Sequence, residues 1–268
     1  MRPITDITKD EARRIRFILM DIDDTLTREG KLMASSYTAL WHLQEAGLRV
    51  IPVTGRPAGW CDLIAREWPV DGVIGENGAL AFWEERRDLP LQRAILKAEY
   101  HENVVRNEHP VLERIRERAL TEVKGLRIAK DQFARLFDLA LDFAEEEPIL
   151  PLKDALKVKK IAEEEGAMAK VSSIHINIWI GHYDKLTMAE RFLTRRFGWR
   201  SGADDREVVF VGDSPNDEPM FARFPLACAV ANIRRYTTLI TRYPAFVASM
   251  DCGDGFAEIA QTILEKRG

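Results

Sequence analysis

No apolar run in the 268 residues approaches the roughly 18 needed for a membrane span, and residues 1–16 are too charged for a secretory leader. The cytoplasm is therefore the expected compartment, with no membrane partner. Cysteine is scarce. Cys61, Cys228 and Cys252 form an odd set without CxxC spacing, which speaks against both a disulfide framework and a zinc site. An excess of positive charge is also missing: 39 Lys and Arg stand against 43 Asp and Glu, a net charge of −4. Nucleic acid is not the expected partner, because phosphate backbones require a cationic face. Internal repeats and low-complexity segments are absent as well. What remains is 46% apolar and 31% charged residues, the composition of a folded globular chain with one large domain or two smaller ones.

Strand and helix patterns alternate at both ends. Phe17–Met20 is a short apolar run that stops at acidic residues, as a buried parallel strand does, and residues 50–53 and 73–74 repeat the pattern. Towards the C-terminus a helix is expected over Lys185–Phe197, then a buried strand over 208–211, further short strands over 226–230 and 246–248, and a closing helix over 256–264. Such alternation implies a parallel sheet with right-handed crossovers. The middle differs. Phe133, Phe137, Ala140 and Ala144 are spaced as one stripe of a helix, and residues 171–180 alternate as a strand. The expected fold class is α/β: a Rossmann-like, doubly wound parallel-sheet core from residues 1–84 and 183–268, with an α+β domain, 85–182, inserted into it.

Two of the buried strands deliver carboxylates to their C-terminal ends, where open α/β sheets gather ligands. These are Asp21-Ile22-Asp23-Asp24-Thr25 and Asp213-Ser214-Pro215-Asn216-Asp217. A lone Asp-x-Asp is most often a solvated turn. Carboxylates converging from two strands repel one another unless a cation sits among them, and hard oxygen donors with room for a phosphate oxygen suit Mg2+. With that charge screened, one aspartate can attack phosphorus and another, two residues on, can protonate the leaving oxygen.

Four motifs in order make the chain resemble the haloacid dehalogenase-like phosphatases. They are Asp21-Ile22-Asp23-Asp24-Thr25-Leu26-Thr27, Val53-Thr54-Gly55-Arg56-Pro57, Lys185 at the start of its helix, and Gly212-Asp213-Ser214-Pro215-Asn216-Asp217. The resemblance implies that Asp21 is the nucleophile, becoming an aspartyl-phosphate, and that Asp23 is the general acid/base. It implies Mg2+ held by Asp21, the main-chain carbonyl of Asp23, and Asp213. Asp217 would support the metal, and Asn216 would orient the lysine or the phosphate. Thr54 and Lys185 would bind the transferring phosphoryl oxygens. An acid at Asp23 favours phosphate esters, since halide leaves without a proton. The third motif departs from the pattern, with Leu186 after the lysine where many relatives have glycine.

A long insertion between the second and third motifs is, in this superfamily, a cap domain that closes over the site. Glu76-Asn77-Gly78-Ala79, just before it, resembles subfamily IIB, the Cof-type group with sucrose-phosphate and mannosyl-phosphoglycerate phosphatases. The expected partner is a small phosphorylated metabolite, a sugar phosphate first. Candidate substrate contacts are Arg56, Glu76 and Asn77 in the core and Ser173, His175 and Asn177 on the polar side of the alternating strand. Ile174, Ile176 and Ile178 should pack beneath cap helices. Arg86, Arg87, Arg127 and Lys130 are candidates for a second anionic group, weighed against ordinary surface charge. Two alternatives stand beside the phosphatase: a phosphomutase of the same subfamily, and a non-catalytic protein that binds a phosphorylated metabolite and signals by cap closure.

Overall fold

The computed structural model describes residues 1–85, 94–172 and 174–268. Parallel strands form the central sheet in the order Arg2–Pro3, Phe246–Val247, Cys228–Ala229, Val208–Gly212, Phe17–Met20 and Arg49–Pro52. A parallel bridge from Val53 to Ile74 adds Val73–Gly75 at one edge. Successive side chains on a strand point to opposite faces. Ile18 and Met20 therefore enter one apolar layer, shared with helices Ala34–Glu45, Ala58–Glu67 and Cys252–Arg267. Phe17 and Leu19 enter the other, shared with helices Lys185–Phe197 and Glu218–Arg223. Layers on both faces make the core doubly wound, and they explain why its central strands are apolar throughout.

Val73–Gly75 also pairs antiparallel with Leu80–Glu85, which pairs in turn with Ile95–Tyr100. Residues 95–100 thus run along the edge of the core, although the sequence groups them with the insertion. The cap sheet is antiparallel, in the order Met168–Val171, His175–Trp179, Asp138–Asp142 and Arg127–Ile128. Helices Pro110–Glu122 and Leu152–Glu164 cover one of its faces, with Ile176 and Ile178 beneath them. Ile174 is only partly buried, because residues 171–180 span the end of one strand, the turn and the second strand of a hairpin, not one continuous strand.

The helix expected from Phe133, Phe137, Ala140 and Ala144 is not formed. Lys130–Ala134 is a short 3-10 turn, Phe133 is 90% exposed, and Asp138–Asp142 is a strand paired on both sides. A period of two prevails there because Leu139 and Leu141 fill the apolar layer of the cap, while Asp138, Ala140 and Asp142 point the other way. Among the described residues no helix is long and apolar enough to cross a membrane.

Candidate active site

Met20 pairs in register with Val211 on one side and Pro52 on the other. The residues just beyond these strands, Asp21, Asp213 and Thr54, therefore emerge at the same end of the sheet. Carboxylate oxygens of Asp21, Asp213 and Asp217 lie within 4.8 Å of one another, and all three side chains are buried. Lys185 reaches them from the first turn of its helix, with Nζ 3.0 Å from Asp21 Oδ1 and 3.3 Å from Asp217 Oδ1. Asp184 and Thr187 close that helix start with a reciprocal capping box, so Leu186 simply continues the helix and no glycine is needed after the lysine. Glycine is needed in the loop alongside. Gly78 has a φ of 105°, and a side chain there would run into the backbone of Asp184.

The charges here strain against one another. Burial raises the Asp21 pKa to about 7, with Asp217 and Asp23 adding to the rise and Lys185 opposing it. Burial also holds Asp213 well above the usual carboxylate range, reinforced by Asp217, Asp21 and Asp24. Burial disfavours the Lys185 ammonium, but Asp21 and Asp217 outweigh it and keep the lysine above its ordinary value. One ammonium among several carboxylates leaves the centre short of positive charge. The donor set fits a hard divalent cation. Asp213 accepts from Thr25 Oγ1 at 3.3 Å and from Asn232 Nδ2 at 3.2 Å, which orients both of its oxygens. Asp217 Oδ2 accepts the main-chain N–H of Asp213 at 3.1 Å while its other oxygen takes Lys185, so it supports the centre from behind. Asp21 Oδ2 accepts no hydrogen bond among the described residues and is free for a ligand.

Residues 18–109 match the family model of haloacid dehalogenase-like hydrolases. Over that stretch the chain is similar to haloacid dehalogenase-like hydrolases. Solved structures extend the likeness in fold over almost the whole chain. A Thermoplasma acidophilum protein, 0175, is 21% identical with a TM-score of 0.68, covering 94% of this chain and 98% of its own. A haloacid dehalogenase-like hydrolase from Bacteroides thetaiotaomicron is 17% identical with a TM-score of 0.65, covering 93% and 99%. A haloacid dehalogenase subclass IIB sugar phosphatase is 14% identical with a TM-score of 0.62, covering 93% and 98%. No curated protein matches the sequence.

The remaining motif residues take distinct places. Asp23 is half-exposed, and Arg56 grips its carboxylate through Nε, 3.2 Å from both oxygens, and Nη2, 2.7 Å from one. The guanidinium is itself seated over the Trp60 ring, 4.6 Å from the centroid. Thr54 is buried and its Oγ1 accepts the N–H of Arg56 at 3.1 Å, which leaves the hydroxyl proton to donate. Asn216 accepts from the Ser214 hydroxyl at 2.9 Å; the lysine is oriented by Asp217 instead. Asn77 sits at a left-handed φ of 55° against Gly55, with its Nδ2 buried and unpartnered.

Glu76, a candidate substrate contact in the sequence, is fully buried with its carboxylate engaged by the protein itself. Its Oε1 accepts the N–H groups of Ala58 and Leu136 and its Oε2 those of Phe137 and Asp138, at 2.7–3.2 Å. Both oxygens are fully used in tying a core helix to the cap. His175 and Asn177 lie on the cap-sheet face opposite the helices. His175 Nε2 is 2.8 Å from Glu145 Oε2, and Asn177 Nδ2 donates to Asp138 Oδ2 at 3.0 Å. Ser173, Arg86 and Arg87 lie outside the described residues.

One residue that sequence reasoning missed is Asn232. Its Nδ2 donates to Asp213 Oδ2 at 3.2 Å and to the Asp24 carbonyl at 3.1 Å, and its Oδ1 accepts the N–H of Cys252 at 3.0 Å. The available signal was its position just past the end of a third strand of the same sheet. Asn232→Ala is expected to weaken divalent-cation binding by about 10–100-fold in calorimetric titration, because it releases a carboxylate from its orienting donor. Unchanged affinity would show that Asp213 needs no such support.

Proposed function

We propose that the protein is a Mg2+-dependent phosphomonoester hydrolase that works through an aspartyl-phosphate at Asp21 and acts on a sugar phosphate or similar small phosphorylated metabolite. The observation that carries this reading is the buried Asp21, held at one oxygen by Lys185 and free at the other, among Asp213 and Asp217. Mg2+ would be held by Asp21, the main-chain carbonyl of Asp23, and Asp213. When bound it supplies charge neutralisation between the aspartate and the phosphate dianion.

The side chains do the rest. An Asp21 oxygen attacks phosphorus, the bond from phosphorus to the ester oxygen breaks, and Asp23 gives its proton to the departing oxygen. Water then attacks the same phosphorus, Asp23 takes the proton, and the bond to Asp21 breaks to release phosphate. Lys185 and Thr54 bind the equatorial oxygens throughout, where charge accumulates. The cap excludes bulk water and limits the leaving group to metabolite size. The likeness to a subclass IIB sugar phosphatase supports a sugar phosphate. Phosphate release from glucose 6-phosphate, mannose 6-phosphate and glycerol 3-phosphate is expected with Mg2+ and should vanish with EDTA. A folded, Mg2+-binding chain that releases phosphate from none of them would overturn the reading.

A further inference from the structure

On the cap-sheet face opposite its helices, the carboxylates are already matched. Asp138 holds Arg135 at 2.9 Å and also Asn177, Asp142 holds Arg127 at 2.9 Å, and Glu145 meets His175 at 2.8 Å. Lys130, considered from the sequence for a second anion, is paired with Glu146. Lys170 differs: it is partly buried and has neither an ion pair nor a hydrogen bond from its side chain among the described residues.

Its direction follows from the strand. Ala169 and Val171, on either side, enter the apolar layer under the cap helices, so alternation turns Lys170 to the opposite face. There it stands across from Asn177, which stands across from the small Ala140. That face meets the core: Asn177, across from Lys170, donates to Asp138, which holds Arg135, and Arg135 Nη1 donates to the Gly55 carbonyl at 3.2 Å beside Thr54. The charge environment agrees. Burial first, then the positive charge of Lys185, lower its pKa, while Asp184, Asp217 and Asp21 act in the opposite sense. Lys170 thus looks from the cap toward the Lys185 end of the active site. A partly buried ammonium near a second ammonium, with no counter-ion of its own, is unfavourable unless a ligand supplies the charge.

We propose that Lys170 binds a second anionic group carried on the leaving-group part of the substrate, so that the preferred substrate is an acidic one, a phosphorylated sugar acid or hydroxy acid. This rests on the phosphomonoester reading above. The transferring phosphoryl group already has Lys185 and Thr54 from the core, whereas Lys170 comes from the cap, the side that faces the organic part. Its alternation was open to view, but Lys170 falls on the first strand of the hairpin, outside the run that drew attention in the sequence.

The test compares 3-phosphoglycerate with glycerol 3-phosphate, which share a carbon skeleton and differ by a carboxylate. The wild type should prefer the acid in kcat/KM, and Lys170→Met should reduce that preference by about 10–100-fold, mainly through KM, with Lys170→Arg restoring part of it. A parallel calorimetric comparison uses 3-phosphonopropionate and propylphosphonate, which bind without turning over. Lys170→Met should lose affinity for the first more than for the second. Equal losses on both members of each pair would assign Lys170 to the transferring phosphoryl group and overturn the proposal. A wild type without preference for the acid, or a preference the substitution leaves intact, would overturn it too. Failure of the folded wild type to hydrolyse either ester would instead count against the phosphatase reading, and the phosphonate pair would still decide the role of Lys170.

Discussion

Asp21→Asn is expected to lower phosphate release by about 10⁴-fold or more while the chain stays folded. An amide nitrogen or oxygen at this position does not form the acyl phosphate, and no other carboxylate of the centre is equally free. Asp213 is engaged by Thr25 and Asn232, and Asp217 by Lys185 and main-chain N–H groups. Lys185 would lose its 3.0 Å partner but keep Asp217, so the buried ammonium is not orphaned. Activity within about tenfold of wild type would rule out Asp21 as the nucleophile.

The same substitution has a second readout with a defined sign. The Asp21 pKa in the folded chain is raised to about 7, above the value of about 3.9 of an unfolded aspartate. The folded state therefore binds more protons across that window, and its stability falls as pH rises from about 4 to about 7. Asp213, raised in the same direction, adds to the fall. In EDTA the wild type should melt at a lower temperature near pH 8 than near pH 5, and Asp21→Asn should flatten that dependence. Mg2+ should raise the wild-type melting temperature most at the higher pH. A metal-free wild type whose melting temperature climbs over this window would contradict the electrostatic account of the site.

Glu76→Gln should be strongly destabilising for so conservative a change. The carboxylate satisfies N–H groups of Ala58, Leu136, Phe137 and Asp138. Glutamine replaces one of those acceptor oxygens with a donor NH2, which leaves two buried main-chain donors facing another donor. Each such loss costs about 1–3 kcal/mol, so about 2–6 kcal/mol in all. For a chain of this size that is a fall in melting temperature of about 5–15 °C. Because Leu136, Phe137 and Asp138 belong to the cap and Ala58 to the core, easier proteolysis between the two should accompany it. A melting temperature within about 1 °C of wild type would mean that these hydrogen bonds add nothing net.

Glu76 also shows where sequence reasoning runs out. A loop carboxylate close to Thr54 and Arg56 has the chemistry of a substrate contact, and only the arrival of Leu136–Asp138 from the cap gives its oxygens another use. The helical stripe through Phe133 and Phe137 failed for a related reason. Its spacing matched a helix, but Leu139 and Leu141 were needed on one face of the cap sheet, and pairing on both sides overrode the local pattern. Lys170 was passed over because a single lysine in a short strand carries no motif.

The sequence by itself determined the parallel core and the inserted domain, and it marked the residues that assemble into the acidic centre. Each of these rests on contiguous residues: an apolar strand followed at once by Asp21 or Asp213, a threonine in Thr54-Gly55-Arg56, a lysine at a capped helix start. The tertiary structure alone decided which of those groups are held and which are free. Thr25 and Asp213, 188 residues apart, share a hydrogen bond, and Asn232 reaches Asp24 across 208. Hydrogen-bond partners, burial and the pKa shifts that follow from them depend on segments that meet only when the sheet and cap are assembled, and no local pattern records them.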